Sequence, residues 1–407
     1  MALKLQKGAL QMGARWHTRR LLGILAAPLL LAGVLTGLGS TAASALTCQA
    51  WTGGQPANPN DINGGDSLSA VAMLNACNVW AVGEAGNGTT LIEHWTGGST
   101  WTVVPSPSPG ELFNFLSSVR GISPTDMWAV GFDANADGSV EKSLILHWDG
   151  KSWTQTPSPS PGTFTQLTGV RAISATDAWA VGTVGNGIGT ATQTLTLHWD
   201  GTSWTRVPSP SPGGAFNSFL TGVTATSGSD VWAVGDYISS QDPSVTLLTL
   251  TLHWDGTSWK QVDSPSPGPA GLTQLTSVDA TSPTDAWAVG FFPDGTSNRN
   301  LILHWDGTSW SQVASPNPLF DDQLDGVAAT SAGSAVAVGT GQAAAKGVVT
   351  SAVTLRWDGT AWAPAPSLQK GGTPITLTGV AAIAPTEAWA VGSFGPTPDQ
   401  TLAFHLK

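Results

Sequence analysis

Apolar residues in this chain come in short runs broken by Gly, Pro, Ser, Thr and Asp, and no stretch repeats them at helical spacing. In one region the runs cover 167–173, 178–182, 194–199 and 203–207, which read as four short strands. The last two are joined within Leu197-His198-Trp199-Asp200-Gly201-Thr202-Ser203-Trp204. Asp and Gly tolerate the positive φ of a tight turn, so the pair marks a hairpin whose tryptophans pack across the strands. The same stretch recurs at 146–153, 252–259 and 303–310, with weaker copies at 92–101 and 355–362.

The second strand repeats as well. Trp-Ala-Val-Gly begins at Trp80, Trp128, Trp179, Trp232, Trp287 and Trp389, and Val336 opens a degraded copy. The seven units lie 48 to 55 residues apart. Four strands per unit at that period predict an all-β fold, a seven-bladed β-propeller of four-stranded antiparallel blades. The last unit stops at Phe404-His405-Leu406, a third strand without a fourth. Cys48-Gln49-Ala50-Trp51-Thr52, followed by prolines, reads as the missing strand. The N-terminal strand is therefore expected to close the last blade and remove its open edge.

In a propeller, the turns after the first and third strands share one face, and the other two connections share the opposite one. The first pair barely varies here, whereas the distance from second-strand to third-strand Trp runs from 15 to 22 residues. Variation gathers on one face, where function is expected on a rigid scaffold. Pro-Ser-Pro-Ser-Pro-Gly runs start at Pro157 and Pro208, with relatives at Pro105, Ser264 and Ser315. They favour extended backbone and read as spacers rather than as a motif for a proline-reading partner.

The front end differs in kind. Lys4, Lys7, Arg15, Arg19 and Arg20 precede an apolar run, 21–38, and then Ala43-Ser44-Ala45. That pattern predicts a secretory signal at 1–45 and a propeller at 46–407. An uncleaved anchor is the other reading, since the run is just long enough to span a bilayer. Twin-arginine export is open too. Without the leader, 11 basic residues face 27 acidic ones, which excludes the basic track that nucleic acid requires. Two cysteines, Cys48 and Cys77, suit one disulfide in an oxidising compartment, which would pin the closing strand; two buried thiols are the alternative.

Candidate chemistry is sparse. His94, His147, His198, His253 and His304 precede the third-strand Trp, and Asn78, Asp126, Asp177, Asp230 and Asp285 lie two residues before the second-strand Trp. The sixth unit loses all three at once, as Val336, Ser334 and Arg356, which predicts that they touch and serve the scaffold. Asp133, Asn135, Asp137 and Glu141, with Gly138 among them, space oxygen ligands as a calcium loop would; a plain acidic loop is the alternative. Where the chain steps onto the first strand, amides recur at Asn114, Gln166, Gln274 and Gln323. Further along stand Arg120, Arg171 and Asp279. Converging at the channel mouth, these could grip a polar ligand such as a sugar, with Phe113, Phe164, Phe216 and Phe320 above. The plainer reading makes the amides strand caps and the phenylalanines packing. No hydrolase, zinc-protease or phosphate-loop motif occurs.

The Trp-Ala-Val-Gly and His-Trp-Asp-Gly-Thr-Ser-Trp pair resembles repeats of secreted bacterial β-propellers. Its period is similar to kelch repeats, and the hairpin resembles the Asp-box of sialidase-like propellers, with one residue fewer between Asp and Trp. The calcium spacing resembles integrin-type blades, with Glu141 in place of the usual Asp. These resemblances transfer no substrate; the reading taken from the chain as a whole is a secreted, monomeric, non-catalytic module expected to bind a protein or glycan partner at the cell surface through its variable-loop face. The rival is an extracellular polysaccharide hydrolase or lyase acting at the channel mouth. The acidic chain is expected to bind no nucleic acid, and to touch membrane only through an uncleaved leader.

Overall fold

The computed structural model describes residues 49–59, 65–187, 190–239, 247–268, 272–295, 297–342, 350–366, 368, 372–395 and 399–406. Two compact units divide at Thr47 and Cys48. The first, with the expected leader, lies outside the described residues. Among the described residues, no helix is long and apolar enough to cross a membrane.

The second unit is all β. In the third repeat Phe164–Ser174, Asp177–Gly185, Gln193–Trp199 and Trp204–Val207 pair antiparallel in chain order, each reading of the sequence extended by a few residues at its ends. The other repeats follow the same plan, in six sheets. Two repeats share an eight-stranded sheet through one parallel bridge, Glu141 opposite Phe164. The last sheet holds three strands.

The first strand of each repeat is innermost, and each lies against the next around a closed ring, Ile375–Ala384 beside Ser67–Asn75. Every inner strand carries a β-bulge directly after a buried leucine, as at Leu167, Leu220 and Leu275. The bulge turns the extra residue's side chain out of the ladder. In four repeats that residue is a threonine whose hydroxyl donates to the next repeat: Thr168 to Leu220 O, Thr221 to Leu275 O, Thr276 to Leu324 O and Thr378 to Leu68 O, each at 2.7 Å. Thr276→Val removes that seam bond and is expected to cost about 1–2 kcal/mol in denaturant unfolding.

Tryptophan fills the seams. Trp128 packs on Trp199 and Trp204 of the following repeat at centroid distances of 5.0 and 5.2 Å. Trp389 meets Trp95 and Trp101 of the first repeat in the same way, at 4.9 and 5.3 Å. Where the sixth repeat has Val336, the seventh offers Leu406, in one apolar cluster. The missing indole and its missing partner coincide.

The closing segment departs from expectation. Residues 49–59 form no ladder strand. Side chains replace the ladder: Thr401 N donates to Asn58 Oδ1 at 2.7 Å and Ala403 N to Gln55 Oε1 at 3.2 Å. Trp51 meets Trp389 edge-on at 5.4 Å. The proline-serine runs work alike. Ser108, Ser160, Ser211 and Ser266 accept from Thr90, Ser143, Thr194 and Thr249 N at 2.9–3.1 Å, and Asn317 accepts from Asn300 N at 2.8 Å. Each acceptor stands seven residues past its fourth-strand Trp, as Asn58 does past Trp51. The runs continue the sheet edge through side-chain oxygens that accept the third-strand N–H, in keeping with the spacer role read from the sequence.

Candidate functional site

The repeated histidines belong to the scaffold. His147, His198, His253 and His304 Nε2 lie 2.7–2.9 Å from Oδ1 of Asp126, Asp177, Asp230 and Asp285. His94 uses Asn78 at 2.9 Å, and His405 uses Glu387 at 2.7 Å. Each ring packs on its repeat's Trp, as His198 does on Trp179 at 4.5 Å. With a neutral amide as partner, burial pulls His94 down to about 4. In the sixth repeat Arg356 Nη1 reaches Pro385 O instead. The hairpin aspartates likewise serve turns: Asp200 Oδ1 accepts from Thr202 Oγ1 and from Ser203 and Thr202 N, and these bonds, the hydroxyl's first, hold its exposed carboxyl at about 2.

The expected calcium loop is a closed turn. Asn135 Oδ1 accepts from Val140 N at 2.9 Å, and Asp137 Oδ1 from Ser139 N at 3.0 Å. Gly138 supplies φ +69°. Asp133 pairs in register with Lys142, whereas Glu141 pairs with Ala134. Because adjacent strand residues face opposite ways, Asp133 and Glu141 lie on opposite faces, and Glu141 takes Gln166 Nε2 at 2.5 Å. The four oxygens do not converge, so the loop corrects the calcium expectation. Cys77 is in the turn after Ser67–Asn75, its N–H on Asn75 Oδ1 at 2.8 Å; Cys48 lies outside the described residues.

The channel residues separate into levels, which corrects the single mouth expected. Gln166 and Arg171 are five residues apart on one inner strand, about 16 Å at the strand rise. Asn114 is a cap: 2% exposed, it donates to Gly88 O and Gly110 O and accepts from Gly110 N. Gln274 and Gln323 are half-buried near the first-strand entry, and Gln323 Nε2 approaches Asp325 Oδ1 at 3.4 Å. Arg120, Arg171 and Asp279 do come together, but towards the invariant turns, around a cavity of about 200 Å³ lined also by apolar residues such as Ala72, Met73, Ala328 and Val380.

That cluster is largely committed. Arg171 Nη1 is 3.7 Å from Asp279 Oδ1, and its Nη2 donates to Ala225 O. Arg120 Nη1 donates to Val71 O and Val119 O at 3.0 and 3.1 Å. Asp279 accepts from Thr224 Oγ1, Ala280 N and Ala329 N. Burial, reinforced by Arg171 and opposed by Asp279, draws Arg120 below its usual range. Asp279→Ala leaves two guanidiniums without their carboxylate and is expected to cost about 2–4 kcal/mol in thermal unfolding.

An exposed apolar rim, in which the sequence points to Phe216 and Phe320 but not to Leu112 and Leu272, stands at the first-strand entries of the opposite mouth. Leu112, Phe216, Leu272 and Phe320 are 37–50% exposed, and each lies three or four residues before the buried leucine of an inner strand. They are four of the seven large apolar residues exposed among the described residues, at one place in the repeat. Phe113, by contrast, packs on Phe132 at 5.7 Å, and Phe164 is half-buried. Aligning the repeats on that leucine would have exposed the column; two leucines in it hid an aromatic pattern.

No protein-family model and no curated protein matches the chain. Solved structures resemble it in fold. YCF48 bound to D1 peptide aligns at TM-score 0.51 and 13% identity, covering 86% of this chain and 95% of that one. YCF48 from Cyanidioschyzon merolae gives 0.52 and 15%, covering 86% and 98%. An ulvan lyase from a polysaccharide lyase family gives 0.56 and 9%, covering 87% and 94%. At such identities the likeness concerns the architecture, and the chain is a β-propeller similar to both kinds.

Proposed function

We propose that the chain is a secreted seven-bladed propeller that acts as a non-catalytic binding module through the face carrying the apolar rim. The exposed column Leu112, Phe216, Leu272 and Phe320 carries this reading, because exposed apolar side chains repeated on one face desolvate readily on a partner. The closed ring of inner strands supports seven blades, and the segment ending at Asn58 supports closure from the N-terminal side. The repeated histidines and acids contribute no reactive centre, since each is paired within its blade. A leader at 1–45 and a Cys48–Cys77 bond complete the proposal as an exported protein.

Arrays of glycans and peptides probed with the purified chain test it. A specific ligand that is bound but never turned over is the expected result. An empty pair of arrays overturns the reading. So does cleavage of any polysaccharide that Arg171→Ala abolishes while circular dichroism stays native, which would make the chain the rival hydrolase or lyase.

A further inference from the structure

The bulge level of the channel encloses a cavity of about 130 Å³, lined by Ser69, Ser117, Thr168, Thr221, Thr276 and Asp325 among others. Thr168, Thr221, Thr276 and Thr378 spend their hydroxyl hydrogens on carbonyls of the next repeat. Their oxygens can therefore offer only lone pairs to the lumen. The sixth repeat has Asp325 in the threonine position, and a carboxylate has no hydrogen to donate to the seam. Its Oδ1 takes the long contact from Gln323, and its buried Oδ2 has no partner. Arg120 lines the same cavity but turns its Nη1 to two carbonyls.

We propose that this level of the channel is a site for a monovalent cation, either an alkali ion or the primary ammonium group of a ligand, with Asp325 as its counter-charge. A carboxylate with one orphaned oxygen, beside four threonine hydroxyls that offer only lone pairs, calls for a positive donor or ion. One carboxylate with neutral oxygens suits a single charge, whereas calcium calls for several hard, charged ligands. Burial raises the Asp325 carboxyl to about 7, with the Gln323 amide opposing. Arg120 is the charged group facing it across the cavity, and the inner strands beside it contribute Thr276, Ser277 and Thr378 there.

The experiment follows the melting temperature in sodium, potassium, ammonium, methylammonium and calcium chlorides against N-methylglucamine chloride at matched ionic strength. At pH 8 the wild-type chain is expected to rise by about 2 °C at ten times the dissociation constant. Asp325→Thr, which restores the repeat residue, and Asp325→Asn are expected to show no rise. A larger rise with methylammonium than with the alkali ions assigns the site to a ligand amine, and the reverse assigns it to a free ion. A wild-type chain indifferent to every monovalent cation overturns the proposal, as does an equal rise in both variants.

Discussion

Trp232→Ala is expected to lower the unfolding free energy by about 3–5 kcal/mol. Trp232 is 1% exposed and lies between two repeats, with its own His253 at 4.5 Å and Trp305 and Trp310 of the next repeat at 4.7 and 5.1 Å. Burying an indole of this size is worth about 4–6 kcal/mol in transfer free energy, and these rings cannot collapse into the void because each is held by its own strand. The natural Val336 indicates how the loss is tolerated. There the facing residue is Leu406 rather than Trp, so the seam narrows on both sides together. Val336→Trp should therefore destabilise as well, by about 1–3 kcal/mol, since no space awaits the ring. Denaturant unfolding of both variants checks the pair of signs.

The second large effect is a loss of stability in alkali. Glu93 is fully buried where the equivalent residues of other repeats are Leu146, Leu197, Leu252, Leu303 and Leu355. Its Oε2 accepts from Ala57 N at 3.0 Å, and Oε1 has no partner. Burial, with Asp66 adding repulsion, raises the carboxyl from 4.5 to about 8, against the lowering by the Ala57 bond. The folded chain then holds a proton that the unfolded chain releases above 4.5. Stability from this group is complete below that pH, falls as pH rises, and levels off beyond about 8. The total is about 3–5 kcal/mol. Asp236 and Asp325, both raised to about 7 by burial, add falls of the same sign, so the difference between chains isolates Glu93. Glu93→Leu is expected to match wild type within about 1 kcal/mol at pH 5, having lost one hydrogen bond, and to exceed it by several at pH 9. Equal pH slopes in the two chains would refute this account.

Much of this architecture was legible, because a seven-fold pattern repeats each signal. The Asp-Gly hairpins and Trp-Ala-Val-Gly strands set the strand order, and the joint loss at Val336, Ser334 and Arg356 predicted a contact that the other repeats show. The site was less legible for three physical reasons. Strand rise places Gln166 and Arg171 at different depths, although sequence proximity had suggested one mouth. Strand alternation parts Asp133 from Glu141, which a spacing motif cannot register. The informative residues, Glu93 and Asp325, are the lone acids in columns of otherwise apolar and otherwise hydroxyl-bearing residues. Such exceptions emerge only when the repeats are aligned on the buried leucine and the bulge after it.

The most direct test of the binding-module account compares three chains on one array ligand: wild type, a rim variant with Leu112, Phe216, Leu272 and Phe320 all changed to Ser, and Arg171→Ala. Exposed apolar residues contribute little to folding, so the rim variant should melt close to wild type. Binding lost in the rim variant and kept in Arg171→Ala is the predicted result. Binding kept in the rim variant but lost in Arg171→Ala would contradict it and move the site to the far end of the channel.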